Sequence, residues 1–225
     1  MLLYYITDRK QFPGPELRRR DLLLAKISEA ARAAVDYIQL REKDLHAREL
    51  ELLAREAVRI VRETRNVKRE TRLLINSRSD VALATGAAGI HLPSDDISVS
   101  DARAVCSSVP SQSVIIAVSC HSAEEIRLAE SQGADFAVFG PVFEKVGTSL
   151  CVGLDGLRAA CQVGRLPVLA IGGVTLGNAA ACIEAGAAGV AAIRLFQEND
   201  VREIVEKLRL ITPARAWAIA PGTPC

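Results

Sequence analysis

The sequence predicts a single α/β domain, a (β/α)8 barrel of the TIM type, over residues 1–211, followed by a C-terminal tail at 212–225. Short apolar, β-branched runs alternate with amphipathic segments of helical length, a pattern that favours a parallel sheet with helical crossovers. The repeating unit keeps a regular length of roughly 20–30 residues, as in compact barrels. No G-x-G-x-x-G follows the first run, and glycines gather after the late ones. A doubly wound open sheet is the alternative.

Eight apolar runs are the candidate strands of this barrel. They are Leu2–Ile6, Tyr37–Leu40, Arg72–Ile75, Gly89–Leu92, Val114–Ser119, Phe136–Phe139, Val168–Ile171 and Gly189–Ile193. Between them, apolar residues recur at helical spacing. The clearest helical segments are Leu45–Arg62, Ala123–Gln132, Asn178–Ala185 and, closing the series, Val201–Leu210. Thr212–Cys225 carries three prolines and predicts an irregular extension.

Composition and charge exclude several classes of protein. The chain has 225 residues with 49% hydrophobic and 24% charged residues, the balance of a globular protein with a sizeable core. A net charge of +1 and 4% aromatic residues argue against nucleic acid as a partner. No apolar run approaches the roughly 18 residues of a membrane span, and the N-terminus is too short for a signal-peptide core. We therefore expect a cytoplasmic enzyme or binding domain, with a homo-oligomer left open.

The six cysteines predict reduced thiols rather than a disulfide framework. They form no C-x-x-C pair, and their spacings match no zinc pattern. A chain without a secretory signal is expected to keep such thiols reduced and mostly buried.

The second run ends in the most informative pattern. Gln39, Arg41 and Lys43 alternate with apolar and acidic residues, which puts all three on one face of an extended segment. Chemistry in a barrel lies at the C-terminal strand ends, so this face predicts two cations and an amide at the mouth. A buried, unpaired cation is costly, and an anionic ligand is therefore expected. The alternative is that Arg41 and Lys43 lie beyond the strand and pair with Glu42, Asp44 or solvent.

The third and fourth runs add polar groups at the same end. Asn76 follows the third run and is expected to point into the mouth, with Ser77 as the cap of the next helix. In the fourth run His91 alternates outward from its apolar neighbours. Asp96 follows in the loop, where a carboxylate opposite cations would suit a hydrated Mg²⁺ bridging to phosphate oxygens. Helix capping explains Asp96 equally well.

The fifth and sixth runs supply a hydroxyl and a long loop. Ser119 falls at the end of the fifth run, and Ser122 is a good cap for the helix that starts at Ala123. His121 lies between them and is expected to be a solvated or capping group rather than a general acid or base. The loop after the sixth run carries Lys145 and is long enough to close over a ligand.

The last two runs predict a phosphate site. In phosphate-binding barrels the loops after the seventh and eighth strands hold phosphate through backbone N–H groups. Gly172 and Gly173 permit such a close approach, and Ile193 and Arg194 follow the eighth run. For Arg194 two interpretations stay open, a salt bridge at the barrel rim and a bidentate grip on phosphate.

In this order, the motifs resemble the thiamine phosphate synthase superfamily, which includes thiazole tautomerases of the TenI type, from Tyr5 to about Leu208. The motifs are Tyr5-Ile6-Thr7-Asp8, Ile38-Gln39-Leu40-Arg41-Glu42-Lys43, Ile75-Asn76, Gly89-Ile90-His91-Leu92 with Asp96, Val118-Ser119, Phe139-Gly140-Pro141-Val142-Phe143 and Ala170-Ile171-Gly172-Gly173-Val174-Thr175. Synthases join a hydroxymethylpyrimidine diphosphate to a thiazole phosphate and expel pyrophosphate with Mg²⁺. Tautomerases aromatise a thiazole carboxylate phosphate without a metal.

The resemblance to the synthases implies a role for each candidate. Arg41, Lys43 and Ser119 would be catalytic, and Ser119 would face the pyrimidine amino group. Gln39, Arg41, Lys43 and Asn76 would hold the diphosphate, and Asp96 would be the Mg²⁺ ligand. Lys145 would contact the substrates, while Gly172, Gly173, Ile193 and Arg194 would take the thiazole phosphate.

Four departures keep other functions open. Ser77 stands where synthases usually carry Asp, and the segment around Thr148 replaces their Thr-x-Thr-Lys loop. Arg194 replaces a common Ser, and Pro141 stands where tautomerases carry a His. A synthase-type condensation is the leading hypothesis. The alternatives are a thiazole tautomerase and a non-catalytic barrel that binds a thiamine-related phosphate.

Overall fold

The chain folds as a closed barrel of eight parallel strands. The computed structural model describes residues 1–64, 69–107, 114–144 and 151–211. Neighbouring strands pair in sequence order from the first to the eighth, and the eighth pairs with the first. This closure confirms the predicted (β/α)8 barrel and shows that the open doubly wound sheet is wrong.

The strands agree with the predicted runs to within one residue at either end. They are β1 Leu2–Ile6, β2 Tyr37–Leu40, β3 Arg72–Asn76, β4 Gly89–Leu92, β5 Ile115–Cys120, β6 Phe136–Phe139, β7 Val168–Ala170 and β8 Gly189–Ala192. All pairs are parallel, so the C-terminal ends meet at one mouth.

Helices connect the strands and cover the outside of the barrel. They are α1 Glu16–Arg32, α2 Ala47–Glu63, α3 Ser79–Thr85, α4 Val99–Ser107, α5 Ala123–Ser131, α6 Gly153–Gln162, α7 Ala179–Glu184, α8 Arg194–Gln197 and α9 Val201–Arg209. In α2 the buried residues Leu50, Leu53, Ala54, Ala57 and Val58 recur at helical spacing, which gives this helix one apolar face toward the barrel. None of the described helices combines the length and apolarity that a membrane crossing requires.

Alternation along each strand separates two apolar clusters. Leu3, Tyr5 and their equivalents on other strands pack outward against the helices. Tyr4, Tyr37 and Phe136 fill the interior, with the Tyr4 ring centroid 6.0 Å from that of Tyr37 and 5.5 Å from that of Phe136. The barrel is therefore plugged by aromatic rings, and the space for a ligand lies above them at the mouth.

Asp36 ties the opposite, amino-terminal end of the barrel together. Its carboxylate accepts a hydrogen bond from the backbone N–H of Leu3 at 2.7 Å. It also pairs with Arg69 at 2.8 Å and with Arg209, in α9, at 2.7 Å. These contacts fasten the last helix to the first two strands. Residues 212–225 lie outside the described part of the chain, so the boundary at 211 stays a prediction.

Candidate functional site

The acidic residues nearest the mouth on the β2 loop, Glu42 and Asp44, are paired with Arg9 from the β1 loop. Glu42 is 5% exposed, and its carboxylate accepts hydrogen bonds from the Thr7 hydroxyl at 2.6 Å and from the Arg9 guanidinium at 3.1 Å. Arg9 also grips Asp44 through two bonds of 2.7 and 2.8 Å. Burial raises the pKa of Glu42, whereas the bond to Arg9 holds the pKa of Asp44 well below its usual range. Both carboxylates are thus committed to Arg9.

Arg41 and Lys43 have no acidic partners among the residues that the structure describes. Strand β2 ends at Leu40, so both residues lie just beyond it, as the alternative interpretation expected. In the described parts of the chain, however, neither side chain forms an ion pair, because Glu42 and Asp44 belong to Arg9. The Arg41 backbone N–H donates to the Thr7 hydroxyl at 3.0 Å, and this bond fixes the start of the loop. Lys43 is exposed and open to solvent, as the alternative expected, whereas Arg41 is half-buried; both charges are available to an anionic ligand.

Lys43 and Asn76 line one cavity. Its volume is about 330 Å³, and it lies between the β2 and β3 loops, with Ser77, Arg78 and Pro93 also in its wall. Asn76 shares the inward face of β3 with a residue of the interior cluster, Leu74, and therefore points to the mouth, as predicted. The cavity has the size and polarity for a small charged group.

Ser77 contacts Asp96 instead of capping a helix. Its hydroxyl donates to the Asp96 carboxylate, and its own backbone N–H donates to the His91 carbonyl at 2.9 Å. The cap prediction is wrong because Ser77 adopts a left-handed backbone (φ 64°), and Arg78 takes the N-cap position of α3 without a side-chain bond. Strand and loop thus bring the Ser77 hydroxyl and the Asp96 carboxylate together at the mouth.

Asp96 and Ser119 line a second cavity, of about 240 Å³. Pro93 lies in the wall of both cavities. Ser119 is half-buried and lies on the inward face of β5, where its hydroxyl is 2.9 Å from Nε2 of His91. In the described residues no group of three or more His, Cys, Asp or Glu side chains forms a metal cluster.

His91 lies inside the barrel, and the prediction that it points outward is wrong. It is 3% exposed because Ile90 and Leu92, on the other face of β4, pack against the helices. Its Nδ1 is 3.2 Å from the Tyr4 hydroxyl, which accepts a hydrogen bond of 3.2 Å from the Gln39 amide. Burial, and secondarily the charge of Arg41, lowers the pKa of His91 to about 3. The imidazole is therefore neutral at physiological pH.

Sequence reasoning did not include Tyr4 and His91 among the site residues. The signal that could have found them is a polar side chain at an inward position of a strand whose other inward positions are apolar. Gln39 was predicted to lie at the mouth beside Arg41. It lies deeper, 1% exposed and hydrogen-bonded to Tyr4, because it is still within β2.

The backbone conformation and close packing of the turn after β7 explain why it carries two glycines. Their φ angles are 95° for Gly172 and 65° for Gly173, a region that disfavours other residues. A Cβ on Gly172 would lie 2.5 Å from the Cβ of Pro141, and the backbone N–H of Phe143 donates to the Gly172 carbonyl at 3.0 Å. The loop after β6 thus packs directly on this turn. The Asn178 amide donates to the Gly173 carbonyl at 2.9 Å and holds it in place.

Ile193 and Arg194 lie at the end of β8. Ile193 is half-buried against the interior cluster, and Arg194 is the exposed first residue of α8. Within the described residues the Arg194 guanidinium forms no ion pair, so the rim salt bridge is not seen. Lys145, predicted to contact substrate, and Thr148 lie outside the described residues.

The loops after β1 and β5 each contain a side-chain cap. Asp8 caps the short 3-10 turn Arg9–Gln11 by accepting from Lys10 N at 3.2 Å. Ser122 accepts from Glu125 N at 3.2 Å and caps α5, as predicted. His121 is exposed, with Nδ1 2.6 Å from the Gly140 carbonyl, which ties the β5 loop to the β6 loop.

Known proteins resemble this chain over most of its length. The sequence profile of the family described as thiamine monophosphate synthase matches residues 3–196. A protein of Geobacter sulfurreducens is 41% identical over 217 residues, which cover 95% of each chain. A Syntrophomonas wolfei protein named thiamine-phosphate synthase is 35% identical over 213 residues, or 93% of this chain and 95% of its own.

A solved structure agrees with these sequence matches. It is thiamine phosphate pyrophosphorylase from Pyrococcus furiosus, which superposes with a TM-score of 0.77 at 31% identity and covers 93% of this chain and 94% of that one. The matched profile runs from β1 into α8 and includes every strand of the barrel. The chain therefore belongs to the thiamine monophosphate synthase family.

Proposed function

We propose that this protein joins a hydroxymethylpyrimidine diphosphate to a thiazole phosphate, forming thiamine phosphate and releasing pyrophosphate. The observation that carries the proposal is the pair of uncompensated cations, Arg41 and Lys43, at the mouth of a barrel whose neighbouring carboxylates are bound by Arg9. Family membership supports the same reaction, since the Syntrophomonas wolfei and Pyrococcus furiosus proteins carry the names of this activity.

The leaving group explains the need for cations. When the C–O bond of the diphosphate ester breaks, both electrons leave with pyrophosphate, and the pyrimidine methylene becomes a carbocation. Arg41 and Lys43, with the Asn76 amide, would bind the diphosphate and stabilise the charge that develops on it. The thiazole ring nitrogen then supplies the electron pair of the new C–N bond. The aromatic rings that fill the barrel interior exclude water from below and so protect the pyrimidine carbocation from reaction with water.

The residues around Asp96 fit a magnesium ion that arrives with the diphosphate. Mg²⁺ in such sites usually takes one or two carboxylates and fills its other positions with phosphate oxygens and water. Asp96 supplies one carboxylate, and the Ser77 hydroxyl hydrogen-bonded to it is a second oxygen donor. When bound, Mg²⁺ would neutralise negative charge on the departing pyrophosphate. The carboxylate that synthases usually carry at the position of Ser77 is not required for this donor set.

The thiazole phosphate would bind across the mouth, at the ends of β7 and β8. The turn at Gly172 and Gly173 and the backbone N–H groups at Ile193 and Arg194 would contact its oxygens. The Arg194 guanidinium has no ion-pair partner in the described structure and can add a bidentate contact. Both substrates in this proposal are small phosphorylated molecules.

A paired assay tests the proposal. The purified protein is incubated with both substrates, with and without Mg²⁺, and thiamine phosphate and pyrophosphate are measured. We expect the two products in equal amounts, dependent on both substrates and on Mg²⁺. Absence of product at saturating Mg²⁺ overturns the proposal. Metal-free aromatisation of a thiazole carboxylate phosphate would assign a tautomerase, and tight binding without turnover would assign a non-catalytic barrel.

A further inference from the structure

Four polar side chains form a continuous hydrogen-bonded chain through the apolar interior of the barrel. Gln39 Nε2 is 3.2 Å from the Tyr4 hydroxyl, which is 3.2 Å from Nδ1 of His91. His91 Nε2 is in turn 2.9 Å from the Ser119 hydroxyl. The first three residues are at most 3% exposed, and Ser119, half-buried, is the end that reaches the mouth. This series of hydrogen bonds thus links the buried interior to the Ser119 hydroxyl, which can contact a ligand.

The chemistry of the donors fixes the direction of this chain. An amide nitrogen can only donate, so the Tyr4 oxygen accepts from Gln39 and its single proton is free for His91. A neutral imidazole has one acceptor and one donor nitrogen. If Nδ1 accepts from Tyr4, Nε2 carries the proton and donates to Ser119. The Ser119 oxygen is then an acceptor on its inner side, and its own proton must point elsewhere.

We infer that Tyr4 and His91 are positioning residues that direct the Ser119 hydroxyl proton into the mouth, so that the ligand atom facing Ser119 is a hydrogen-bond acceptor. The inference rests on the proposed function only for the identity of that ligand. In an aminopyrimidine the ring nitrogens accept, whereas the amino group donates. Ser119 therefore pairs its proton with a ring nitrogen, and only its remaining lone pair is open to the amino group. The resemblance alone implied the amino group as the partner.

The protonation state of the imidazole provides a test that needs no activity. The sequence has three histidines, His46, His91 and His121, so ¹⁵N-histidine labelling gives a simple spectrum that His46→Gln and His121→Gln variants assign. We expect His91 to show a protonated Nε2 and an unprotonated Nδ1 at about pH 7. A protonated Nδ1 overturns the inference.

Two buried tyrosines provide matched variants. Tyr4 and Tyr5 are both fully buried, but the Tyr4 hydroxyl bonds to Gln39 and His91 inside the barrel, whereas the Tyr5 hydroxyl donates outside it, to Gln197 at 3.0 Å. Tyr4→Phe removes the donor to Nδ1, so the Nδ1-protonated form should become visible and kcat/KM for the pyrimidine substrate should fall about tenfold. Tyr5→Phe should retain the wild-type tautomer and kinetics. A Tyr4→Phe protein with both properties unchanged contradicts the inference.

A substrate analogue separates this inference from the proposed function. Replacing the ring nitrogen beside the amino group by C–H removes the acceptor, and the wild-type protein should bind this analogue about tenfold more weakly than the parent diphosphate. Ser119→Ala should bind the two compounds equally. Calorimetry measures both affinities without turnover. If the wild-type protein binds the analogue and the parent compound equally, the inference is overturned but the proposed synthase activity is not. If it binds the parent more tightly but forms no product, only the proposed synthase activity is overturned.

Discussion

Arg9 and Glu42 form a buried ion pair, with Nη1 and Oε2 3.1 Å apart and side chains that are 4% and 1% exposed. The pair joins the loop after β1 to the loop after β2, directly behind the candidate anion site. It is also the reason that Arg41 and Lys43 form no ion pair within the described residues, because Arg9 holds the acidic residues on either side of Lys43. A structural ion pair thus sets the charge of the mouth.

Removing Arg9 should therefore destabilise the protein strongly. Arg9→Met leaves the Glu42 carboxylate buried without its cation, and we expect the free energy of unfolding to fall by about 3–5 kcal/mol. Urea denaturation measures the loss. Arg202→Met, which breaks an exposed pair with Glu206 on α9, is the matched control and should cost no more than about 1 kcal/mol. Equal costs in the two variants would contradict a stabilising role for the buried pair.

Neutralising the mouth should weaken diphosphate binding. Arg41→Gln and Lys43→Gln each remove a charge without removing an ion pair of the described structure, so stability should change little. We expect kcat/KM for the pyrimidine diphosphate to fall about 10- to 100-fold in each, the worth of one charged contact. Steady-state kinetics measure the effect. Arg55→Gln, on the exposed side of α2, serves as control, and a similar loss there would argue against a local role.

A carboxylate at position 77 should change the response to magnesium. Ser77→Asp places a second negative charge beside Asp96, which destabilises the metal-free protein and strengthens a Mg²⁺ site. We expect a lower Tm without metal, a larger rise in Tm on adding Mg²⁺ and a lower Mg²⁺ concentration for half-maximal activity. Thermal unfolding over a Mg²⁺ titration measures this. Ser100→Asp, exposed in α4, should respond as wild type does.

The turn after β7 should not tolerate a side chain. Gly172→Ala would place a Cβ 2.5 Å from the Cβ of Pro141 at a φ of 95°, so we expect a loss of about 1–3 kcal/mol in unfolding free energy and weaker binding of thiazole phosphate. Gly177→Ala is the control, since its Cβ would meet nothing closer than 3.8 Å. Chemical denaturation and calorimetry check both effects. Retention of full stability in Gly172→Ala would show that the turn can shift.

His91 should make the stability of the protein pH-dependent. Burial is the main reason that the pKa of His91 is lowered from 6.5 to about 3 in the folded state. As the pH falls, the imidazole is therefore protonated in the unfolded chain before it is protonated in the folded protein. Stability is therefore fully present above about pH 6.5 and is lost as the pH falls toward 3. His91→Gln should flatten this part of the curve. Urea unfolding at several pH values measures it, and an unchanged slope in the variant would contradict a neutral, buried imidazole.

Much of the fold follows from the sequence alone. All eight strands were predicted to within one residue, because strands buried on both faces are short apolar runs that helical segments separate. The ends of those runs also located Asn76 and Ser119 at the mouth, where the structure has both at inward strand positions. The single-turn helix α8 was not predicted, since four residues carry too short a pattern to detect.

Tertiary structure decided which partners those residues have. Alternation separates the two faces of a strand but does not say which one is inside, and so His91 was placed outward although the helices cover Ile90 and Leu92. Likewise, local spacing predicted Ser77 as a helix cap, whereas the approach of the β4 loop supplies Asp96 as its partner. Local periodicity is encoded by neighbours in the chain, but charge compensation depends on residues such as Arg9 and Glu42 that only the closed barrel brings together.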